Sequence, residues 1–138
     1  MSKAKILVVD DEVEIVRALS MRLKAAGYEL ISANNGAQAM QMATRQLPDL
    51  MILDIGMPAG NGHAIARRLL HQPATAHIPV IFLTASALEE DRKKAYEVEP
   101  VAYLNKPFKP NDLLAVVSRA VSISQQVRSQ AIYDWRIN

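Results

Sequence analysis

Apolar residues gather along this chain in five short runs, each followed by a stretch with helical spacing. The runs cover residues 6–9, 28–33, 50–53, 79–83 and 102–104, and all are rich in Ile, Val and Leu. Continuous rather than alternating apolar character predicts strands covered on both faces, as in a parallel sheet. Glu29 and Ser32 interrupt the second run, which places it near an edge. Between the runs, Ile15, Leu19, Leu23 and Ala26 step at helical spacing towards Gly27, which supplies a stop. Ala37, Ala39, Met40 and Ala43 make a short second helix, ended by the turn before Pro48. Ala64, Ile65, Leu69 and Leu70 make a third, with Pro73 beyond its end. A fourth is predicted over 89–97, carrying the acid-before-base pairs Glu89–Lys93 and Glu90–Lys94. A fifth is predicted over 112–124, opened by Pro110 and capped by Asn111.

Strand and helix alternating five times predict an α/β fold: a right-handed, doubly wound parallel sheet with helices on both faces. The 138 residues make one domain, long enough to bury a real core without staples. Met40, Met42 and Met51 read as core filling. Fourteen residues follow Ser124, too few for an output domain, so 125–138 is expected to extend the last helix or form a tail. Ile132, Tyr133 and Trp135 in that segment suit a docking patch, a coiled extension, the start of a linker, or packing onto the chain's own surface.

Composition narrows the chemistry. There is no cysteine, which removes disulfides, thiolate metal sites and thiol nucleophiles together. Sixteen basic residues against fourteen acidic leave a net charge of +2. The longest basic run, Arg92-Lys93-Lys94, directly follows Glu89-Glu90-Asp91, so direct nucleic-acid binding is not expected. No apolar run approaches the ~20 residues that span a bilayer, and the run after the basic N-terminus is too short for a signal peptide. A cytoplasmic protein with no membrane association is expected.

On doubly wound sheets ligands bind beyond the carboxyl ends of the strands. Those ends carry Asp10-Asp11 after the first run, Asp54 after the third, Thr84 after the fourth and Lys106-Pro107 after the fifth. Each alone has an ordinary reading as a cap or turn residue. Together they put three carboxylates, a hydroxyl and an ammonium on one rim. Clustered carboxylates repel one another unless a cation neutralises them, and an all-oxygen site without His or Cys favours Mg²⁺. A hard ion, an ammonium and a hydroxyl around a carboxylate nucleophile are the parts that phosphoryl transfer requires.

The segments ILVVDDE (6–12), PDLMILDIGMPAGNG (48–62), IPVIFLTA (78–85) and YLNKPF (103–108) occur in an order and spacing that resemble the receiver domain of two-component response regulators, including the chemotaxis regulators. The resemblance covers roughly residues 5–124. It implies a flavodoxin-like strand order, 2-1-3-4-5, and a phosphorylation switch. By that resemblance Asp54 accepts the phosphoryl group from a sensor histidine kinase or a phosphotransfer protein. Asp11 ligates Mg²⁺ directly, Asp10 directly or through water, and Asp54 and the Gly56 carbonyl complete the protein ligands. Thr84 and Lys106 bind the phosphoryl oxygens, and a cis Lys106–Pro107 bond aims the lysine. Tyr103 turns inward as Thr84 follows the phosphoryl group, reshaping the face of the fourth helix, fifth strand and fifth helix for a downstream protein. Such a domain is a signalling protein rather than an enzyme, although it catalyses its own phosphoryl transfer and dephosphorylation. A homodimer is among the assemblies it allows.

The chain departs from the family where Glu99-Pro100-Val101 replaces the usual Gly-Ala pair, which predicts an altered end to the fourth helix. Asn61 stands where Asp is frequent, and Gly56 and Ser86 leave small side chains beside the site. His63, His71 and His77 lack ligand spacing and are expected to be structural or surface residues. Three other readings compete. A flavin-binding module needs a phosphate loop after the first strand, where Asp10-Asp11-Glu12 would repel phosphate. A haloacid-type hydrolase needs a second acid after Asp54, where Ile55 and Gly56 stand. A pseudo-receiver would keep the fold as a phosphorylation-independent interaction module.

Overall fold

The computed structural model describes residues 3–57, 62–85, 98 and 100–137, with side chains to residue 126. Five strands, β1 (Lys5–Val9), β2 (Glu29–Ala33), β3 (Leu50–Asp54), β4 (Val80–Thr84) and β5 (Ala102–Asn105), form one parallel sheet in the order β2-β1-β3-β4-β5. The described residues hold four helices, α1 (Val13–Ala25), α2 (Gly36–Gln46), α3 (Gly62–Leu70) and α4 (Pro110–Ile137). The expected 89–97 helix, Asn61, Ser86, Glu99 and the side chains of Ile132, Tyr133 and Trp135 lie outside the described residues.

Side chains alternate along a strand, so a run with no polar break feeds two cores at once. Leu7, Val9, Met51, Leu53, Val80 and Phe82 pack with α2 and α3 on one face. Ile6, Val8, Leu50, Ile52, Ile81 and Leu83 pack with Leu19 and Leu23 of α1 and Leu113 and Val117 of α4 on the other. β2 is an outer strand with only Ala33 fully buried, as its interrupted pattern predicts. Met40 and Met51 are buried and Met42 packs against the same core.

Several boundaries differ from the sequence reading, and three of them have a local cause. Tyr28 lies before β2 and its N–H donates to the Leu23 carbonyl, closing α1 through Gly27 at a φ of +97°. Pro79 precedes β4, where its carbonyl accepts from Met51 N–H and its missing N–H is not needed. The last helix begins at Pro110 rather than behind an Asn111 cap, because proline is preorganised for a first helical turn. Lys109 is the flanking residue, its carbonyl accepting from Leu113 N–H. Helix α4 then runs without a break to Ile137. No helix among the described residues is long and apolar enough to cross a membrane.

Candidate functional site

The carboxyl ends of β1, β3, β4 and β5 bring the expected residues together on one rim. β1 ends one residue before Asp10, which is 1% exposed. Its N–H donates to the Ala33 carbonyl of β2, and its Oδ1 accepts from Glu12 N–H at 2.9 Å. That turn starts α1 with Glu12 as the flanking residue. The Glu12 side chain does not cap the helix. It reaches across the rim to Lys106 Nζ at 3.1 Å.

Asp54 ends β3 and is 5% exposed. Its Oδ1 accepts from Gly56 N–H at 3.0 Å, so the turn after the strand holds the carboxylate in place. Gly62, at the start of α3, closes on the same turn from the other side. A Cβ there would lie 2.8 Å from the Asp54 carbonyl oxygen, closer than real contacts allow. Thr84 ends β4 and is buried, and its carbonyl accepts from Lys106 N–H at 2.8 Å. The Lys106–Pro107 bond is cis. Lys106 Nζ lies 2.9 Å from Asp10 Oδ2 and 3.4 Å from Asp54 Oδ1.

Burial pushes the Asp10 carboxyl above its ordinary range, and the Asp54 charge adds to this. The Glu12 N–H and Lys106 act against the shift without cancelling it. Lys106 shows the reverse balance. Burial disfavours its ammonium, but bonds to Asp10 and Glu12 outweigh that and hold its pKa above the usual lysine range.

Asp10, Asp11, Glu12 and Asp54 each present an oxygen within 4.8 Å of the others, with Asp11 and Glu12 exposed. Asp10 Oδ2 is buried, makes its ionic contact with Lys106 and carries no directional hydrogen bond. An all-oxygen set with an unsaturated buried carboxylate oxygen fits a hard divalent cation such as Mg²⁺.

Tyr103 lies in register opposite Phe82. By strand alternation it shares the α3 face with Thr84, two residues further along β4. Its ring is 5.3 Å from that of Phe82, and its hydroxyl is 3.3 Å from His63 Nε2. Two participants in this constellation are absent from the sequence reading of the site. Glu12 pairs with a lysine 94 residues away, and the acidic triplet containing it is the one signal. His63 packs on Phe82 and contacts the Tyr103 hydroxyl. Its spacing three residues before buried Ala66 marks it as facing the sheet.

The model of the response regulator receiver domain matches residues 6–118, and the chain belongs to that family. It is 40% identical over 110 residues to the phosphate regulon transcriptional regulatory protein PhoB of Pseudomonas aeruginosa, covering 80% of this chain and 48% of that protein. Its fold matches the chemotaxis response regulator CheY4 of Vibrio cholerae with a TM-score of 0.79 at 31% identity, over 86% of this chain and 99% of that one. It likewise matches the receiver domain of the sensor histidine kinase PA1611 of P. aeruginosa, whose active-site cleft coordinates magnesium. There the TM-score is 0.79 at 30% identity, over 88% and 99% of the two chains. The chain spans about half the length of the first curated relatives it matches.

Proposed function

We propose that the chain is a Mg²⁺-dependent phosphorylation switch with Asp54 as phosphoacceptor. The observation that carries this reading is Lys106, whose ammonium bridges the buried Asp10 and Asp54 carboxylates at 2.9 and 3.4 Å. Asp54 Oδ1 is held by Gly56 N–H and faces Lys106, so Oδ2 is the oxygen assigned to attack. It forms a bond to the phosphorus of a phosphohistidine on a sensor kinase or phosphotransfer protein. The P–N bond breaks, and the imidazole leaves with the electron pair. Attack of water on the same phosphorus later returns inorganic phosphate and the free carboxylate.

Asp10, Asp11, Asp54 and the Gly56 carbonyl are the groups that would hold Mg²⁺. The chemistry it supplies when bound is neutralisation of charge on the transferring oxygens. Lys106 and the Thr84 hydroxyl donate to two further phosphoryl oxygens. As Thr84 is drawn inward, Tyr103 takes or keeps the inward position on the same face. The surface of β5, α4 and the 89–97 segment then changes for a partner protein. In this reading residues 1–124 are the switch unit, 125–138 extend its last helix, and the setting is cytoplasmic. Readout passes through another protein or domain rather than through nucleic acid bound by these residues.

Acetyl phosphate with Mg²⁺, an acid quench and intact mass test the reading. Wild type gains one phosphoryl group. The gain is absent with EDTA and in Asp54→Asn. No gain under any condition overturns the reading and leaves a constitutive interaction module.

A further inference from the structure

We propose that His63 is a positioning residue for the switch tyrosine, holding Tyr103 against Phe82 before any phosphoryl group arrives. The inference rests on the proposed switch reading for its consequence, though not for its geometry. Three rings meet on the α3 face. Phe82 is fully buried at the centre. His63 packs on it edge to face at 4.6 Å between centroids, Tyr103 lies 5.3 Å from it, and the His63 and Tyr103 rings are 6.3 Å apart. The 3.3 Å contact between His63 Nε2 and the Tyr103 hydroxyl closes the triangle. Tyr103 is half-buried there, and a phenol leaving water needs a partner for its hydroxyl.

Of the residues that suit this place, histidine alone supplies both an aromatic edge for Phe82 and a nitrogen at the distance the hydroxyl requires. Leucine would keep the packing and lose the hydrogen bond. Glutamine would keep a polar tip and lose the ring. The bond also tolerates either ring tautomer, because a hydroxyl both donates and accepts.

His63 is itself fixed relative to the phosphoacceptor. It follows Gly62, whose Cα is pressed so closely on the Asp54 carbonyl that a Cβ would sit 2.8 Å from that oxygen. The backbone that carries Asp54 thus also places the imidazole that holds Tyr103. The inward setting of the tyrosine is then a resting property of this chain. Phosphorylation has less rearrangement of Tyr103 to drive, and Thr84 becomes the main moving part. A ligand shifts an equilibrium only by its differential affinity for the two states, so a tyrosine already inward adds little to that difference.

Fluorine NMR of the full chain labelled with 3-fluorotyrosine tests this. Four tyrosines are present, and Tyr103→Phe identifies the resonance in question. In the unphosphorylated wild type the Tyr103 signal is expected at a buried position, moving little after acetyl phosphate and Mg²⁺. In His63→Leu the outward-to-inward ratio should rise roughly two- to tenfold, the range for one lost hydrogen bond. The signal then moves towards the solvent-exposed value and returns on phosphorylation. His63→Gln, which keeps a polar tip, should move it less, and carries the test should His63→Leu not fold. A Tyr103 signal unchanged from wild type in the folded His63 variants overturns the proposal. Phosphoryl uptake followed by mass on the same samples separates the two readings. A shifted signal without uptake supports the positioning role and sinks the switch. Uptake with an unshifted signal sinks only the role of His63.

Discussion

Lys106 Nζ lies 2.9 Å from Asp10 Oδ2, an oxygen sealed from solvent that makes no directional hydrogen bond. The Glu12 N–H on Oδ1 and the lysine on Oδ2 together oppose the burial that disfavours the Asp10 charge. Removing one partner of a buried pair leaves the other charge uncompensated, which is costlier than never having had the pair.

The pH dependence follows from the two opposite balances. The folded-state pKa of Asp10 is raised, so the stability this group contributes is fully present below the ordinary aspartate value and is lost as pH rises through its native value. Lys106→Met should thus cost about 1–3 kcal/mol at neutral pH. The deficit should shrink as pH falls through the Asp10 range. Lys106 is also raised, so its own contribution is complete below the ordinary lysine value and lost as pH climbs through the native one. Urea melts of wild type and variant across neutral, acid and alkaline pH read all three. Parallel curves at every pH would contradict the argument.

Divalent cation should stabilise the fold through the same oxygens. Mg²⁺ at about 100 times its dissociation constant adds about 2.7 kcal/mol if it binds the folded chain alone. Asp10→Asn keeps an acceptor for Glu12 N–H and removes the buried charge, while Glu12 and Asp54 remain as partners for the Lys106 ammonium, so it should be no less stable than wild type in EDTA. Its melting temperature should respond little to Mg²⁺. A full Mg²⁺ response in this variant would remove Asp10 from the ligand set.

Gly62→Ala tests the packing that brings α3 onto the Asp54 turn. The added methyl meets the Asp54 carbonyl oxygen at 2.8 Å and Leu53 Cβ at 3.1 Å, neither of which is a flexible tip. A loss of roughly 1–3 kcal/mol is expected from this overpacking. Phosphoryl uptake from acetyl phosphate should slow as well, because the displaced strand end carries Asp54, the proposed phosphoacceptor. A stable variant with wild-type uptake would show that the turn gives way freely.

Asn35→Ala tests the start of α2. The Asn35 side chain accepts from Gln38 N–H at 2.8 Å at the start of α2, while Gln38 Oε1 accepts from Asn34 N–H at 2.9 Å. Loss of the cap should lower stability by about 1 kcal/mol in urea melts. The rate of phosphoryl uptake should stay at the wild-type value.

The sheet was legible because Leu50 to Leu53 and Ile81 to Leu83 have no polar break, as strands covered on both faces read, and because such runs alternate with helical patterns. The rim was legible for the same reason: polar residues that abruptly end such runs stand where the strands leave the core. Pairings across the sheet were not. Lys106 meets Glu12 over 94 positions of separation, and His63 meets Tyr103 over 40. Local signals place Glu12 in an acidic triplet and His63 on the sheet side of its helix, but nothing local names the distant partner of either. The start of the last helix was misplaced because Asn111 is a good cap by type, whereas Pro110 matches the first helical position by backbone angle.

At 1.5 Å per residue the 28 residues of α4 make a rod of about 42 Å. Its near half is clamped to the sheet through buried Leu113, Val117, Ala120 and Val121. The far half continues along the same axis past Ser124 to Ile137. The clamped part is thus a fulcrum, and the helix is a lever. A tilt of about 5° at the sheet would carry the far end through about 2 Å. Motion too small to alter the packing around Val117 would be amplified at the tip into a displacement of atomic size.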